Sequence, residues 1–153
     1  MILTTHILIG AAIAIKTQNP ILGLSFAFIS HYFADAIPHR EYHVRNILEK
    51  RWKSSLTDFT KLSLDISLGF FLIMIISKNY LPAFLGGFFA ILPDILFFIF
   101  TFFPKIELLK LLNQLHEKTH WFRNAKLNKK TPLFLGILTQ VLASLLAISI
   151  FPR

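Results

Sequence analysis

The sequence contains no cysteine, which removes disulfides, thiolate-ligated zinc, iron–sulfur clusters and a cysteine nucleophile from consideration. Any metal must be held by nitrogen and oxygen. Charge is scarce as well: of 153 residues 16% are charged against 54% hydrophobic, and the apolar ones fall in long blocks instead of the short alternations of a soluble core. No G-x-S-x-G elbow, phosphate-binding loop or dinucleotide-binding glycine pattern occurs. Met1 to His6 lacks the basic stretch that opens a secretory signal, so the first apolar run is expected to stay on the protein.

What is present is apolar sequence in five runs, over 2–15, 21–37, 62–77, 81–103 and 132–151. They predict an all-α, polytopic membrane helix bundle of about five spans, forming a single integral membrane domain over 1–153. The first two runs are short, about 21 Å and about 25 Å at 1.5 Å per residue, and the KTQNP turn between them makes an antiparallel hairpin. A sixth segment, 106–122, places Leu108, Leu111, Leu112, Leu115 and Phe122 opposite Lys110, Gln114, Glu117 and Lys118, the pattern of an amphipathic interfacial helix. Gly86 and Gly87 suit close helix packing.

The formal charge of +8 is explained by topology and anionic headgroups. Six Lys and Arg lie between Pro38 and Lys61 and seven between Lys105 and Lys130. Five crossings put both groups on one side, which the positive-inside rule makes cytoplasmic. The protein is therefore expected in the cell membrane with its N-terminus inside and its C-terminus outside, with membrane lipids as partners and no nucleic acid. Trp52, Trp121 and Tyr80 fall where interfacial aromatics would.

Six residues carry candidate chemistry as metal ligands. His31 and Asp35, in SHYFADAIPH, lie one helical turn apart on one face, which His39 continues. Ionisable groups cost about 2.5–3.5 kcal/mol at the centre of a span on insertion scales, so they imply partners or a polar cavity. His6 sits in the first apolar run, and Asp94 follows Pro93 inside the fourth, where neither is cheaply exposed to lipid. His116 and His120 bracket Glu117 in HEKTH, a match to H-E-x-x-H, in which two histidines bind zinc and the glutamate activates water. Beyond His120 there is no Asp, Glu or His to complete a metallopeptidase site. Asp65 reads as a group behind the site or a helix-start acid, and Asp58 as a helix-start acid.

The combination of an early TTH, SHYFAD, LPD and HEKTH resembles the YdjM-like membrane-bound metal-dependent hydrolases, although here SHYFAD precedes the other two strings whereas the family places its S-H-x-x-x-D last. The resemblance implies His6, His31, Asp35, Asp94, His116 and His120 as a metal site and a hydrolase reaction class. The expectation is a hydrolase using zinc or manganese on a phosphoester or lipid-like substrate from the cytoplasmic side, with Glu117 as catalytic base. The alternatives are a non-enzymatic transporter or interaction module, and an H-E-x-x-H membrane metallopeptidase.

Overall fold

The computed structural model describes residues 1–119 and 131–151. Among them every regular element is helical: α1 (Leu3–Lys16), α2 (Pro20–Asp35), α3 (Arg45–Leu48), a 3-10 turn at Trp52–Ser54, α4 (Leu56–Ile76), α5 (Tyr80–Phe102), α6 (Glu107–Thr119) and α7 (Leu133–Ile150). Asn19 caps α2, its side chain accepting from the backbone N–H of Ile21 and Leu22, with Pro20 at the first helical position. Pro93 lies inside α5 without ending it.

Helix α1 is the axis of the bundle. Its residues Leu3–Leu8, Gly10–Ala12 and Ala14 are all buried, because α2, α4, α5 and α7 surround it. Contacts fix the directions. Leu3 meets Asp65 and Ile7 lies beside Gly69, so α4 runs parallel to α1. Ile2 and Thr5 reach Gln140 and Ser144, so α7 is parallel as well. His6 stacks on His31, and Gly10 and Ala14 pack on Ala90 and Gly86, so α2 and α5 run antiparallel. The α1–α5 crossing is built from small residues at a spacing of four on both helices. A Cβ on Gly10 would overlap the Gly86 carbonyl and the Ala90 side chain, and one on Gly86 would overlap the Gly10 carbonyl and Ala14.

Three helices, α4, α5 and α7, are long and apolar enough to cross a membrane, fewer than the five expected. The runs at 2–15 and 21–37 become helices of 14 and 16 residues. The reason is length: at 1.5 Å per residue they reach about 21 Å and about 24 Å, short of a hydrocarbon core of about 30 Å. In α1 there is a second difference, since an apolar run looks the same whether lipid or protein surrounds it, and here it is protein. A helix hydrophobic all round is a buried helix. Elsewhere the molecule is apolar outside and polar inside. Leu64, Leu68, Phe71 and Ile75 on α4 and Phe134, Leu142 and Leu146 on α7 are exposed, while His6, His31 and Asp35 are buried. That distribution suits a lipid solvent.

The expected amphipathic helix forms as α6, but it packs against α5 and α2 through its less apolar side. Leu109, Asn113 and His116 are buried, whereas Leu108, Leu111 and Leu115 face outward. The remainder of the expected 106–122 segment, with His120, Trp121 and Phe122, lies outside the described residues.

Candidate metal centre

The site end of the bundle gathers the start of α1 and α4, the last turn of α2, the second half of α5 and the last turn of α6. Four side chains meet there. One ligand atom from each of His31, Asp35, Asp94 and His116 lies within 4.8 Å of the others, a group able to hold a metal ion. His31 Nε2 is 3.0 Å from Asp35 Oδ2 and 3.7 Å from Asp94 Oδ1, and His116 Nε2 is 3.5 Å from Asp94 Oδ1. Tetrahedral ligands at Zn–N or Zn–O distances near 2.1 Å stand about 3.4 Å apart, so these separations bracket what an ion requires.

The tautomer of His31 is fixed by its surroundings. Its Nδ1 lies 2.9 Å from the Ala90 carbonyl oxygen, which can only accept, so Nδ1 carries the proton. Nε2 is then buried and turned toward the two carboxylates, with Asp35 Oδ2 3.0 Å away. Aromatic groups wall the centre: His31 stacks between His6 and His116 with ring centroids 4.2 Å and 5.2 Å away, and Phe97 stacks on His116 at 5.4 Å.

His6 joins the centre through Asp35, with Nε2 3.1 Å from Asp35 Oδ1, and stands outside the group of four. Glu117 is not brought in: it is exposed, and its Oε1 accepts from Asn113 Nδ2 at 3.3 Å. On a helix, successive residues point about 100° apart, so burying His116 turns Glu117 away. His120 lies outside the described residues.

A second group, Asp35, His39 and Glu41, adjoins the first and shares Asp35 with it. Here the Met1 amino group contacts Asp35 and lies 2.7 Å from both His39 Nε2 and Glu41 Oε1. Burial alone would push the Glu41 carboxyl up, but the Met1 ammonium and hydrogen bonds from His39 and Met1 outweigh it and hold it well below the usual carboxylate range.

Asp65 turns out to cap α1 from a neighbouring helix. Its carboxylate accepts from the backbone N–H of Leu3 at 2.7 Å and of Thr4 at 2.9 Å, from the Thr4 hydroxyl at 2.6 Å, and from the Tyr42 hydroxyl at 2.9 Å. Ile2, at the N-cap position, offers no side-chain acceptor, so this acid from α4 satisfies the orphan donors of the first turn. Asp58 is a helix-start acid for α3, accepting from the N–H of Asn46 at 2.8 Å and of Ile47 at 3.3 Å. Gln140 of α7 ties the site end together: its Oε1 accepts from Ile2 N–H at 2.9 Å and its amide donates to the Arg40 carbonyl at 2.8 Å.

Beside the centre, between α4 and α5 and remote from their connecting turn, is a cavity of about 350 Å³. Its walls are mostly apolar, and Asp94, Glu41 and Tyr42 are among its few polar residues. Burial by a low-polarity wall, and the neighbouring Asp65 carboxylate, push the Tyr42 phenol up, so it stays a hydrogen-bond donor. Comparison of the chain with protein-family models, curated proteins and solved structures finds no match in any of the three.

Proposed function

We propose that the protein is a membrane hydrolase that cleaves an ester or phosphoester bond with a divalent ion, zinc or manganese, held by His31, Asp35, Asp94 and His116. The observation that carries this reading is His31 Nε2, buried and facing carboxylate oxygens of Asp35 and Asp94 at 3.0 Å and 3.7 Å, with His116 Nε2 3.5 Å from the same Asp94 oxygen. Two imidazole nitrogens and two carboxylates at this spacing need positive charge between them, supplied by protons on the rings or by a metal ion that displaces those protons. Two imidazoles and two carboxylates, without sulfur, suit zinc or manganese. An ion there supplies Lewis acidity toward a phosphoryl or acyl oxygen and lowers the pKa of water toward about 7.

The chain's own residues do the positioning. The Ala90 carbonyl holds His31 in the tautomer that presents Nε2, and His6 Nε2 holds Asp35 Oδ1. Phe97 closes one face of His116. The four ligands differ in access: the His31, Asp35 and His116 side chains are 0%, 1% and 3% exposed, against 30% for Asp94, so the open side is at Asp94. The exposed Glu117 is poorly placed to serve as base, which argues against the H-E-x-x-H peptidase alternative.

The site end also carries the basic Pro38–Lys61 segment. By the positive-inside rule it faces the cytoplasm, with the N-terminus inside and the C-terminus outside the cell membrane. Four of the six residues that the YdjM-like resemblance implies gather in one group, which supports the metal-dependent reading.

The test is hydrolysis of a panel of nitrophenyl esters and phosphoesters by the protein in lipid nanodiscs. Turnover should vanish on chelation, return with zinc or manganese, and be lost in Asp94→Asn. Turnover that survives chelation, or persists in Asp94→Asn, overturns the proposal.

A further inference from the structure

The cavity between α4 and α5 is an unusual neighbour for a cluster of histidines and carboxylates. Ile66 and Leu62 of α4 face Ile91, Ile95 and Phe98 of α5 across it, and Leu48 helps to close it. Asp94 is the one residue of the four-ligand group in its lining, and also the one with appreciable exposure. Whatever approaches the centre through this cavity therefore passes along hydrocarbon walls before it meets a carboxylate. At its rim Phe59 is 41% exposed, on the same helix whose Leu64, Leu68 and Phe71 form the lipid-facing surface. The cavity thus has Asp94 of the centre in one wall and the exposed Phe59, from the helix that carries the lipid-facing leucines, in another.

We infer that this cavity seats a single hydrocarbon chain of a membrane lipid, placing the lipid's ester or phosphoester group against Asp94. The inference rests on the proposed metal centre for its chemistry, but the seat itself is built from the apolar lining alone. At about 350 Å³ the cavity is modest in size, which favours one chain over two. It also lies within the usual range of small-molecule pockets, about 300–1,000 Å³, which are mostly apolar with a few placed polar groups. A soluble phosphoester would have to strip its hydration shell to enter, whereas a chain already in the bilayer exchanges one apolar surroundings for another.

The test is photolabelling of the full chain in nanodiscs by a phospholipid carrying a diazirine near the middle of one acyl chain, with the protein stripped of metal and labelled sites read by peptide mass spectrometry. Expected is labelling concentrated at Ile66, Ile95 and Phe98, falling at least tenfold in Ile95→Trp, while labelling of the outward Leu68 and Phe71 is unchanged. The outward positions double as a check that the variant is folded. Should Ile95→Trp fail that check, Ile66→Phe, a smaller intrusion from the opposite wall, should lower labelling at Ile95 and Phe98. Labelling no higher in the cavity than at Leu68 and Phe71, or cavity labelling that neither variant lowers, overturns the inference. Because the readout needs no ion, the two ideas fail separately. Cavity labelling in a protein that never binds metal removes only the centre, and metal binding without cavity labelling removes only the seat.

Discussion

Replacing Gly10 by Ala tests how the α1–α5 crossing positions the centre. The new Cβ would lie 3.1 Å from the Gly86 carbonyl carbon, with the carbonyl oxygen and the Ala90 Cβ nearer still. Carbon atoms rest at about 3.5–4.0 Å, so the helices must separate by at least about half an ångström. Both obstacles sit on or close to the α5 backbone, which cannot swing aside as a side-chain tip can. Overpacking of this kind costs about 1–3 kcal/mol. The substitution also gains about 1 kcal/mol of helix propensity, so the reference is Gly23→Ala, which receives the same gain and whose Cβ meets the Thr17 Cβ at 3.3 Å, a milder contact relieved by a shift of a few tenths of an ångström. The difference between the two variants, measured by reversible unfolding in mixed micelles, should be about 1–3 kcal/mol against Gly10→Ala. Gly86→Ala opens the same crossing from the other side, so the double variant should lose less than the two single losses together. His6, one turn before Gly10, would move with α1 and loosen its hold on Asp35, weakening metal binding. A difference below about 0.5 kcal/mol between Gly10→Ala and Gly23→Ala would refute the close approach.

Asp65→Ala should cost about 1–3 kcal/mol by stranding the N–H groups of Leu3 and Thr4, read as a lower thermal midpoint in detergent, with an unchanged midpoint contradicting the cap. His6→Ala should weaken metal binding about 10–100-fold without abolishing it, as loss of a ligand-orienting partner does; complete loss in a dialysis assay would make His6 a ligand. Glu117→Gln should leave metal affinity and turnover within twofold of wild type, and a large fall in turnover with metal retained would restore the peptidase-like role.

Much of this was legible in the sequence, and what was not has a physical cause. The spans expected at 81–103 and 132–151 appear as α5 and α7 within a residue at each end, because long apolar runs admit few alternatives. Asp94 and the His31–Asp35 pair stood out because ionisable groups are costly in apolar helices, and they meet in one group. Enclosure of α1 could not be read, since burial by protein and by lipid call for the same residues. The facing of α6 agrees with the interfacial helix expected there: where lipid is the solvent, the leucines face out and the histidine in. Glu41 and the capping role of Asp65 were hidden because both depend on partners distant in the chain. The available signal for Glu41 was an acid two residues after His39 in a stretch where Lys and Arg outnumber acids.

The most direct test of the centre is equilibrium dialysis of the metal-stripped, detergent-purified protein against zinc and against manganese, followed by elemental analysis, beside His31→Ala, Asp35→Ala, Asp94→Ala and His116→Ala. About one equivalent retained by the wild type, and lost in each folded variant, is the expected result. A wild type that takes up neither metal, or four variants that all retain it, would contradict a centre built from these residues.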